Sequence, residues 1–263
     1  MTPVNPVEQS GDFLTIDAVA RPAGGVLRWR RAVRAVLAGG LDGLRAATVN
    51  HTNNGTHSIV PMMIPGGCAL VAAWDSPEAA AAAWRGPLAA ALAGRGRFSM
   101  DGEVARVRRQ HDGDTWYGWN PSAAGAEPLA ADEPLAVVVH GVLQPRHLAG
   151  FLRNNMHAAS RAAHHPGHRG SVDISSKLPF EHTSISLWKT VASAQDYAYA
   201  PGGHAHAMKH ALTADTHQAG VFLRVRPLAS TGSLGIDAPA FPHLPPAARG
   251  RLSTDTTTGA VTR

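Results

Sequence analysis

The chain has 263 residues, 44% of them hydrophobic, and a single cysteine. This length and apolar content allow a large buried core, whereas one cysteine excludes an internal disulfide and a metal cluster held by several thiolates. The formal net charge is +5, but the basic residues are scattered and match no nucleic-acid-binding motif, so we expect no nucleic-acid partner.

Neither end of the chain nor its interior suggests membrane insertion. No apolar run is long enough to span a bilayer, and residues 1–11 lack the basic start and apolar stretch of a signal peptide. We therefore expect a cytoplasmic protein, with a flexible N-terminal segment over residues 1–12.

Residues 13–132 are predicted to form a first half in which strands and helices alternate. Apolar, β-prone or alternating residues predict four strands, at Phe13–Ala20, Leu44–Asn50, Cys68–Trp74 and Glu103–Arg109. Apolar residues at helical spacing predict a helix over Gly25–Leu37. Ser76 followed by Pro77 predicts the start of an alanine-rich helix that runs to about Leu92. The order β-α-β-β-α-β is ferredoxin-like.

Residues 133–231 repeat this order as a second half. The predicted strands are Leu135–Val142, Ser171–Ser175, Thr183–Thr190 and Ala219–Pro227. Helices are predicted over Pro145–Ala163 and over Ala192–Leu212, the latter interrupted at residues 201–203. Residues 232–263 are rich in proline and threonine, and we expect a loosely ordered C-terminal tail there.

The two halves also correspond in sequence. Leu70–Trp74 matches Ser184–Trp188, and Ala105–Arg108 matches Leu223–Arg226. We interpret this as a duplication. The predicted fold class is α+β, with two ferredoxin-like β-α-β-β-α-β repeats whose uncovered sheet faces pack together within one chain. We expect a ligand in their shared interior.

His204 follows Pro201-Gly202-Gly203 and is predicted in the first turn of a new helix, with Met208 on the same face. The N-terminus of a helix disfavours a protonated imidazole, so this ring would stay neutral and could bind a metal. A hydrogen-bonded core histidine is the alternative.

Other polar residues are predicted on apolar faces. Asn155 lies on the apolar stripe of its helix and would be either a structural bridge or a contact to a ligand. His140 shares a strand face with Ala136 and Val138 and could reach the interior. Four arginines occupy matching strand positions and could bind carboxylates or form surface salt bridges, namely Arg106, Arg108, Arg224 and Arg226.

Residues 183–227 resemble the spheroidene monooxygenase family. The similarity rests on Ser186-Leu187-Trp188, Tyr197-Ala198-Tyr199, Gly202-Gly203-His204 and Arg224-Val225-Arg226-Pro227. The resemblance implies a dimeric α/β barrel and a haem protein that oxygenates carotenoids, and related barrels include haem-dependent aldoxime dehydratases. It makes His204 the proximal iron ligand of haem b, with further cofactor contacts expected at Trp188, Met208, Arg224 and Arg226.

The leading hypothesis is therefore a haem-dependent monooxygenase acting on a small or hydrophobic metabolite, with an electron donor as a further partner. Catalytic groups opposite His204 are expected among His140, Asn155, His51 and His57. A dehydratase of the aldoxime dehydratase type, acting on an iron-bound nitrogen, is one alternative. A cofactor-free α/β-barrel enzyme or binding protein is another. The sequence leaves open whether the chain forms a homodimer.

Overall fold

Eight antiparallel strands close into a barrel in the computed structural model of the chain. The residues that the structure describes are 11–52, 66–176, 180–200, 217–236 and 238–247. His57, His204 and Met208, three of the predicted site residues, lie outside these ranges.

The strands and helices follow the predicted order. The strands are β1 (Phe13–Pro22), β2 (Leu44–Thr52), β3 (Gly67–Trp74), β4 (Gly94–Arg109), β5 (Leu135–Leu143), β6 (His168–Ser175), β7 (Glu181–Trp188) and β8 (His217–Gly232). The helices are α1 (Gly25–Ala38), α2 (Pro77–Arg85), α3 (Pro87–Ala91), α4 (Leu148–Ala163) and α5 (Val191–Tyr199). A single turn of 3₁₀ helix, Pro145–His147, precedes α4.

The strands of the first half lie in the order β4-β1-β3-β2, and those of the second half in the matching order β8-β5-β7-β6. The halves join where β4 pairs with β8 and where β2 pairs with β6. The predicted mixed α+β class is confirmed. Strand order and element order are the same in both halves, while their origin by duplication stays a prediction.

The predicted alanine-rich helix after Ser76 is divided in two. Its start is as expected, because the Ser76 side chain accepts a hydrogen bond from the Ala79 N–H at 3.2 Å. It is interrupted at Gly86, which has an extended backbone and precedes Pro87. Proline lacks an N–H and disfavours a helical residue before it, so α2 ends and α3 begins there.

Several strand ends also differ from the sequence expectation. β4 and β8 are each 16 residues long, because they pair with one another along the junction between the halves. β7 ends at Trp188 rather than Thr190, since the Thr190 hydroxyl accepts a hydrogen bond from the Ser193 N–H at 3.0 Å and caps α5.

Apolar side chains pack inside the barrel, where the sequence led us to expect a ligand. Leu14, Ile16, Met100 and Leu223 are among its fully buried members. Inward-facing apolar side chains of both halves pack against one another and fill the barrel. The expectation of a ligand site in this interior is therefore wrong, as far as the described residues show.

The tail after β8 contributes to this interior. Leu234 and Phe241 are 3% and 2% exposed and belong to the barrel's core cluster. The described part of the segment expected to be loosely ordered is thus packed. Its proline content obscured the few large apolar residues that attach it to the barrel.

The layer between sheet and helices differs between the two halves. In the first half it is filled by large side chains, namely Trp29, Val33, Trp74, Trp84, Leu88 and Leu92. In the second half α4 and α5 turn alanines towards the sheet, namely Ala158, Ala159, Ala162, Ala194 and Ala198. The first layer is closed and the second leaves an open space.

The strand residues that face this layer also differ between the two halves. Trp74 pairs with Phe13 in the first half as Trp188 pairs with Leu135 in the second, which brings the two registers into correspondence. The positions of Val19, Cys68, Leu70 and Ala72 are then occupied in the second half by Gly141, His182, Ser184 and Ser186. At three of these four positions the second half has a polar residue where the first half has an apolar one, and at the fourth it has glycine instead of valine.

Within the described ranges, no helix is long and apolar enough to cross a membrane.

Candidate functional site

A cavity of about 380 Å³ lies between the outer face of the second-half strands and the helices α4 and α5. Its volume is in the range of about 300–1,000 Å³ that is usual for small-molecule sites. Val137, Val139 and Phe222 form an apolar floor, and Phe151 and the alanines of α4 form the opposite wall. The space exists because these alanines are too short to reach the strands.

His217, the first residue of β8, places an imidazole in this cavity. The ring lies directly over Gly141, where a Cβ atom would come within 2.2 Å of the His217 Cδ2 atom. Gly141 therefore makes room for the ring. Phe151 contacts the ring edge-to-face with centroids 5.4 Å apart. Neither ring nitrogen of His217 has a hydrogen-bond partner in the described part of the chain.

Burial, together with a smaller effect of the charge of His182, lowers the pKa of His217 to about 4. The His217 ring is therefore neutral at neutral pH. A neutral imidazole can donate a nitrogen lone pair to a metal ion or accept a hydrogen bond from a ligand.

A second polar group in the cavity consists of His182, Asp173 and Asn155. The Nε2 atom of His182 lies 3.0 Å from Asp173 Oδ1. The Asn155 Nδ2 atom lies 3.3 Å from His182 Nε2 and 3.4 Å from Asp173 Oδ2. Phe151 packs edge-to-face on His182 as well, at 5.1 Å, so this ring contacts both cavity histidines.

Arg106, Arg108 and Arg224 line the cavity on the β4–β8 side, where Arg106 and Arg224 are directly paired across the strands. None of the three forms a salt bridge with an acidic side chain of the described ranges. Three neighbouring cations without acidic partners favour binding of an anionic group.

The cavity brings together some of the predicted site residues. Asn155, Trp188 and Arg224 all line it. Trp188 donates from Nε1 to Ser186 Oγ at 3.0 Å and stacks on Tyr197 with centroids 4.9 Å apart. Asn155 lies 3.4 Å from Asp173 and 3.3 Å from His182 and also lines the cavity, while a contact from Asn155 to a ligand stays a prediction.

Arg226 lies outside the cavity. Its guanidinium forms salt bridges with Glu103 at 2.9 Å and Glu133 at 3.3 Å, and also donates to the carbonyl groups of Glu127 and Pro128. These contacts use the hydrogen-bonding capacity of the side chain to tie β4 and β8 to the loop before β5. They argue against the cofactor contact expected for Arg226.

His140 is on the opposite face of β5, inside the barrel. Its ring stacks on Trp116 with centroids 5.5 Å apart, and Nδ1 lies 2.9 Å from Thr183 Oγ1. Burial lowers its pKa to about 4, with added effects of the charges of His182 and His217. Strand alternation correctly predicts that His140 lies inside the barrel. The cavity is on the other face of the same strand, so His140 does not line it.

His51 belongs to the first half. It pairs with Cys68, which faces α1, and burial together with nearby Arg30 lowers its pKa to about 4. The structure therefore places His51 and His140 apart from each other and from the cavity, so the predicted set of catalytic residues does not form one site among the described residues.

Sequence reasoning missed His182, His217, Asp173 and Phe151. His182 could have been found, since it shares a strand face with Ser184 and Ser186, whose polar character marks that face as different from its counterpart in the first half. His217 offered no such signal, because its importance depends on Gly141 in another strand.

The chain matches no model of a protein family and no curated protein sequence. Among solved structures, an aldoxime dehydratase is similar with a TM-score of 0.56 and 11% identity, over 89% of this chain and 85% of that one. The fold resembles that of aldoxime dehydratases.

Two further structures extend this comparison. An aldoxime dehydratase crystallised with butyraldoxime has a TM-score of 0.53 and 9% identity, over 86% of this chain and 81% of that one. A proposed monooxygenase from Fusobacterium nucleatum has a TM-score of 0.38 and 10% identity, over 88% of this chain and 98% of that one, and this lower score supports no argument. The resemblance to spheroidene monooxygenases stays a prediction.

The neutral His217 predicts a pH-dependent stability. An unfolded histidine takes up a proton near pH 6.5, whereas folded His217 does so only near pH 4. Between these values the unfolded chain binds more protons, so the free energy of unfolding decreases as pH falls through this window and is unaffected above it. Replacing His217 with Asn should remove on the order of 3 kcal/mol of this decrease.

Urea unfolding of the purified chain without added haem, followed by circular dichroism across the window, measures this effect. Replacement of the exposed His111 is the matched surface control. An unchanged slope in His217→Asn would show that the ring is not held neutral.

Proposed function

We propose that the chain is a haem-dependent enzyme whose cofactor and substrate occupy the cavity of the second half. One observation carries the proposal: an apolar cavity that contains a neutral imidazole, His217, together with arginines that lack acidic partners in the described ranges. The corresponding layer of the first half is filled by apolar side chains. This difference indicates a cavity maintained for a ligand rather than a general consequence of the fold.

The residues of the cavity suit the chemistry of haem. Haem is a flat apolar ring with an iron atom that binds imidazole and two carboxylate groups that bind cations. Val137, Val139 and the α4 alanines provide an apolar surface, and Arg106, Arg108 and Arg224 could bind the carboxylates. No group of three or more histidine, cysteine or acidic side chains is arranged to hold a bare metal ion within the described ranges. Haem needs only one or two protein ligands.

The iron ligand that we propose is His204, with Met208 beside the cofactor, as the sequence resemblance implies. Both residues belong to a segment outside the described ranges. Tyr199 precedes this segment in the sequence and His217 follows it, and both line the cavity, which supports the proposal. His217 is then free to contact the substrate.

Oxygenation of a small or hydrophobic metabolite is the reaction that we propose first, on the resemblance to spheroidene monooxygenases. When bound, haem would supply the iron that activates oxygen, with electrons from a separate donor. The chain would exclude water with Phe151 and the α4 alanines and would orient the substrate with His217 and Asn155. Histidine ligation gives less electronic push than a thiolate, so polar groups near the substrate would have to assist.

Absorption spectra of the purified chain with haem test this proposal. We expect the Soret band of protein-bound haem to be retained in His206→Ala and lost in His204→Ala, because the iron then lacks its protein ligand. His217→Ala should retain the band, since this residue contacts substrate rather than iron. Loss of the band in His217→Ala with retention in His204→Ala would reverse the assignment. No band in any form would favour a cofactor-free enzyme.

Dehydration is a second candidate, supported by the fold similarity to aldoxime dehydratases and by the protonable side chains of the cavity. Converting an aldoxime to a nitrile removes a proton from carbon and releases the hydroxyl group as water, without net electron transfer. His182 with Asp173 and the neutral His217 could carry protons in such a reaction. Oxygenation, in contrast, requires oxygen and reducing equivalents.

The two reactions can be distinguished by their need for oxygen and an electron donor. Reduced haem-loaded chain is incubated with an aliphatic aldoxime in the absence of oxygen and of further reductant, and nitrile is measured by gas chromatography. Nitrile formation that exceeds one equivalent per chain supports dehydration. For an oxygenase we expect no nitrile, but oxygen uptake that depends on an added electron donor and on an apolar substrate. Trp84→Phe, which alters the filled layer of the first half, is the control variant for both assays.

A further inference from the structure

The cavity histidines and their neighbour His140 differ in one respect that bears on proton transfer. His182 contacts a carboxylate, that of Asp173, at 3.0 Å. Neither His140 nor His217 forms an ion pair within the described ranges, and burial lowers the pKa of both rings to about 4. Of these three rings, His182 is the one whose positive charge would be balanced by a neighbour.

The contacts of His182 define its tautomer. A carboxylate only accepts hydrogen bonds, so the 3.0 Å contact with Asp173 Oδ1 requires a proton on His182 Nε2. Asn155 Nδ2 then donates to Asp173 Oδ2, at 3.4 Å, and restrains the carboxylate. In the neutral ring Nδ1 carries the lone pair, and Nδ1 has no partner in the described part of the chain. The nitrogen left to a ligand is therefore a proton acceptor.

We propose that His182 is the proton carrier of the cavity, with Asp173 and Asn155 as positioning residues. The proposal rests on the cavity being the reaction site. The bond from hydrogen to a ligand oxygen or carbon breaks, its electron pair stays with the ligand, and the proton forms a bond with His182 Nδ1. In a later step the bond between this proton and Nδ1 breaks, and the proton is transferred to the ligand or to a leaving group. Neither transfer requires an oxidant or a reductant.

The surroundings of His182 fit this role. Its charge is opposed by Asp173 on β6 and interacts with Glu181 on β7, His140 on β5 and His217 on β8. Arg106, Arg108 and Arg224 line the same cavity on β4 and β8. A proton on His182 lowers the pKa of His140 and His217, so the uptake of one proton by His182 disfavours protonation of the other two rings. His217 is thereby kept as a lone-pair donor while His182 carries the proton.

Cyanide binding to the haem-loaded ferric chain tests the proposal without depending on the natural substrate. Hydrogen cyanide must lose its proton to bind iron, and a base in the cavity should accelerate this step. Near neutral pH we expect His182→Gln to bind cyanide on the order of 100-fold more slowly than wild type, and Asp173→Asn to show about a tenfold loss. At alkaline pH, where cyanide is already ionised, the rates should agree within about twofold, because no base is then needed.

Stopped-flow absorbance measures these rates, and His111→Gln, at an exposed turn, is the matched control. Equal rates for wild type and His182→Gln near neutral pH would overturn the proposal. A deficit that persists at alkaline pH would also overturn it, since it would reflect altered access to the cavity rather than proton transfer.

A measurement on the haem-free chain separates this proposal from the proposed function. If the chain binds no haem, the proposed function fails, and nitrogen-15 NMR of the histidine rings still tests His182. We expect the Nε2 atom of His182 to carry a proton, with this Nε2 preference lost in Asp173→Asn. A ring protonated at Nδ1, or a tautomer unaffected by Asp173→Asn, would overturn the proposal.

Discussion

The packing of large side chains between sheet and helices is the constraint on which the site depends. A closed barrel leaves each half with an outer sheet face that must be covered by helices. In the first half Trp29, Trp74 and Trp84 fill this layer. In the second half the helices carry alanines at the interface, and the same architecture encloses a cavity. The two halves thus differ in how this layer is packed, while both keep the same strand order.

The polar groups of the site follow from this arrangement. A polar side chain on a buried sheet face is costly unless it has a partner. The imidazole of His182 meets this requirement through the carboxylate of Asp173, to which Asn155 also donates, whereas the ring of His217 is accommodated over Gly141. The cavity therefore contains two histidines in unlike settings, one beside a carboxylate and one neutral, and this difference permits two chemical roles in one small space.

Much of the fold could be predicted from the sequence, because strand alternation and helical periodicity are local signals. The strand–helix order and the second-half hairpin around Trp188 are examples, whereas the lengths of β4 and β8 depend on pairing between residues far apart in the chain. The site was less predictable for the same reason. Strand alternation correctly places His140 in the interior, but which face of a sheet encloses a cavity depends on the size of residues from the covering helices. Asn155, Trp188 and Arg224 were identified because motif and amphipathic pattern marked them individually.

Small and polar side chains leave the second-half layer open, and we propose that a ligand occupies it. Ser184→Leu tests this most directly, since it places in the cavity the side chain that Leu70 supplies at the corresponding position of the first half. The measurement is a haem titration followed at the Soret band, with circular dichroism to confirm folding. We expect a folded variant whose affinity for haem is reduced by about tenfold or more, which corresponds to at least about 1.4 kcal/mol. A folded Ser184→Leu variant that binds haem as tightly as wild type would contradict it.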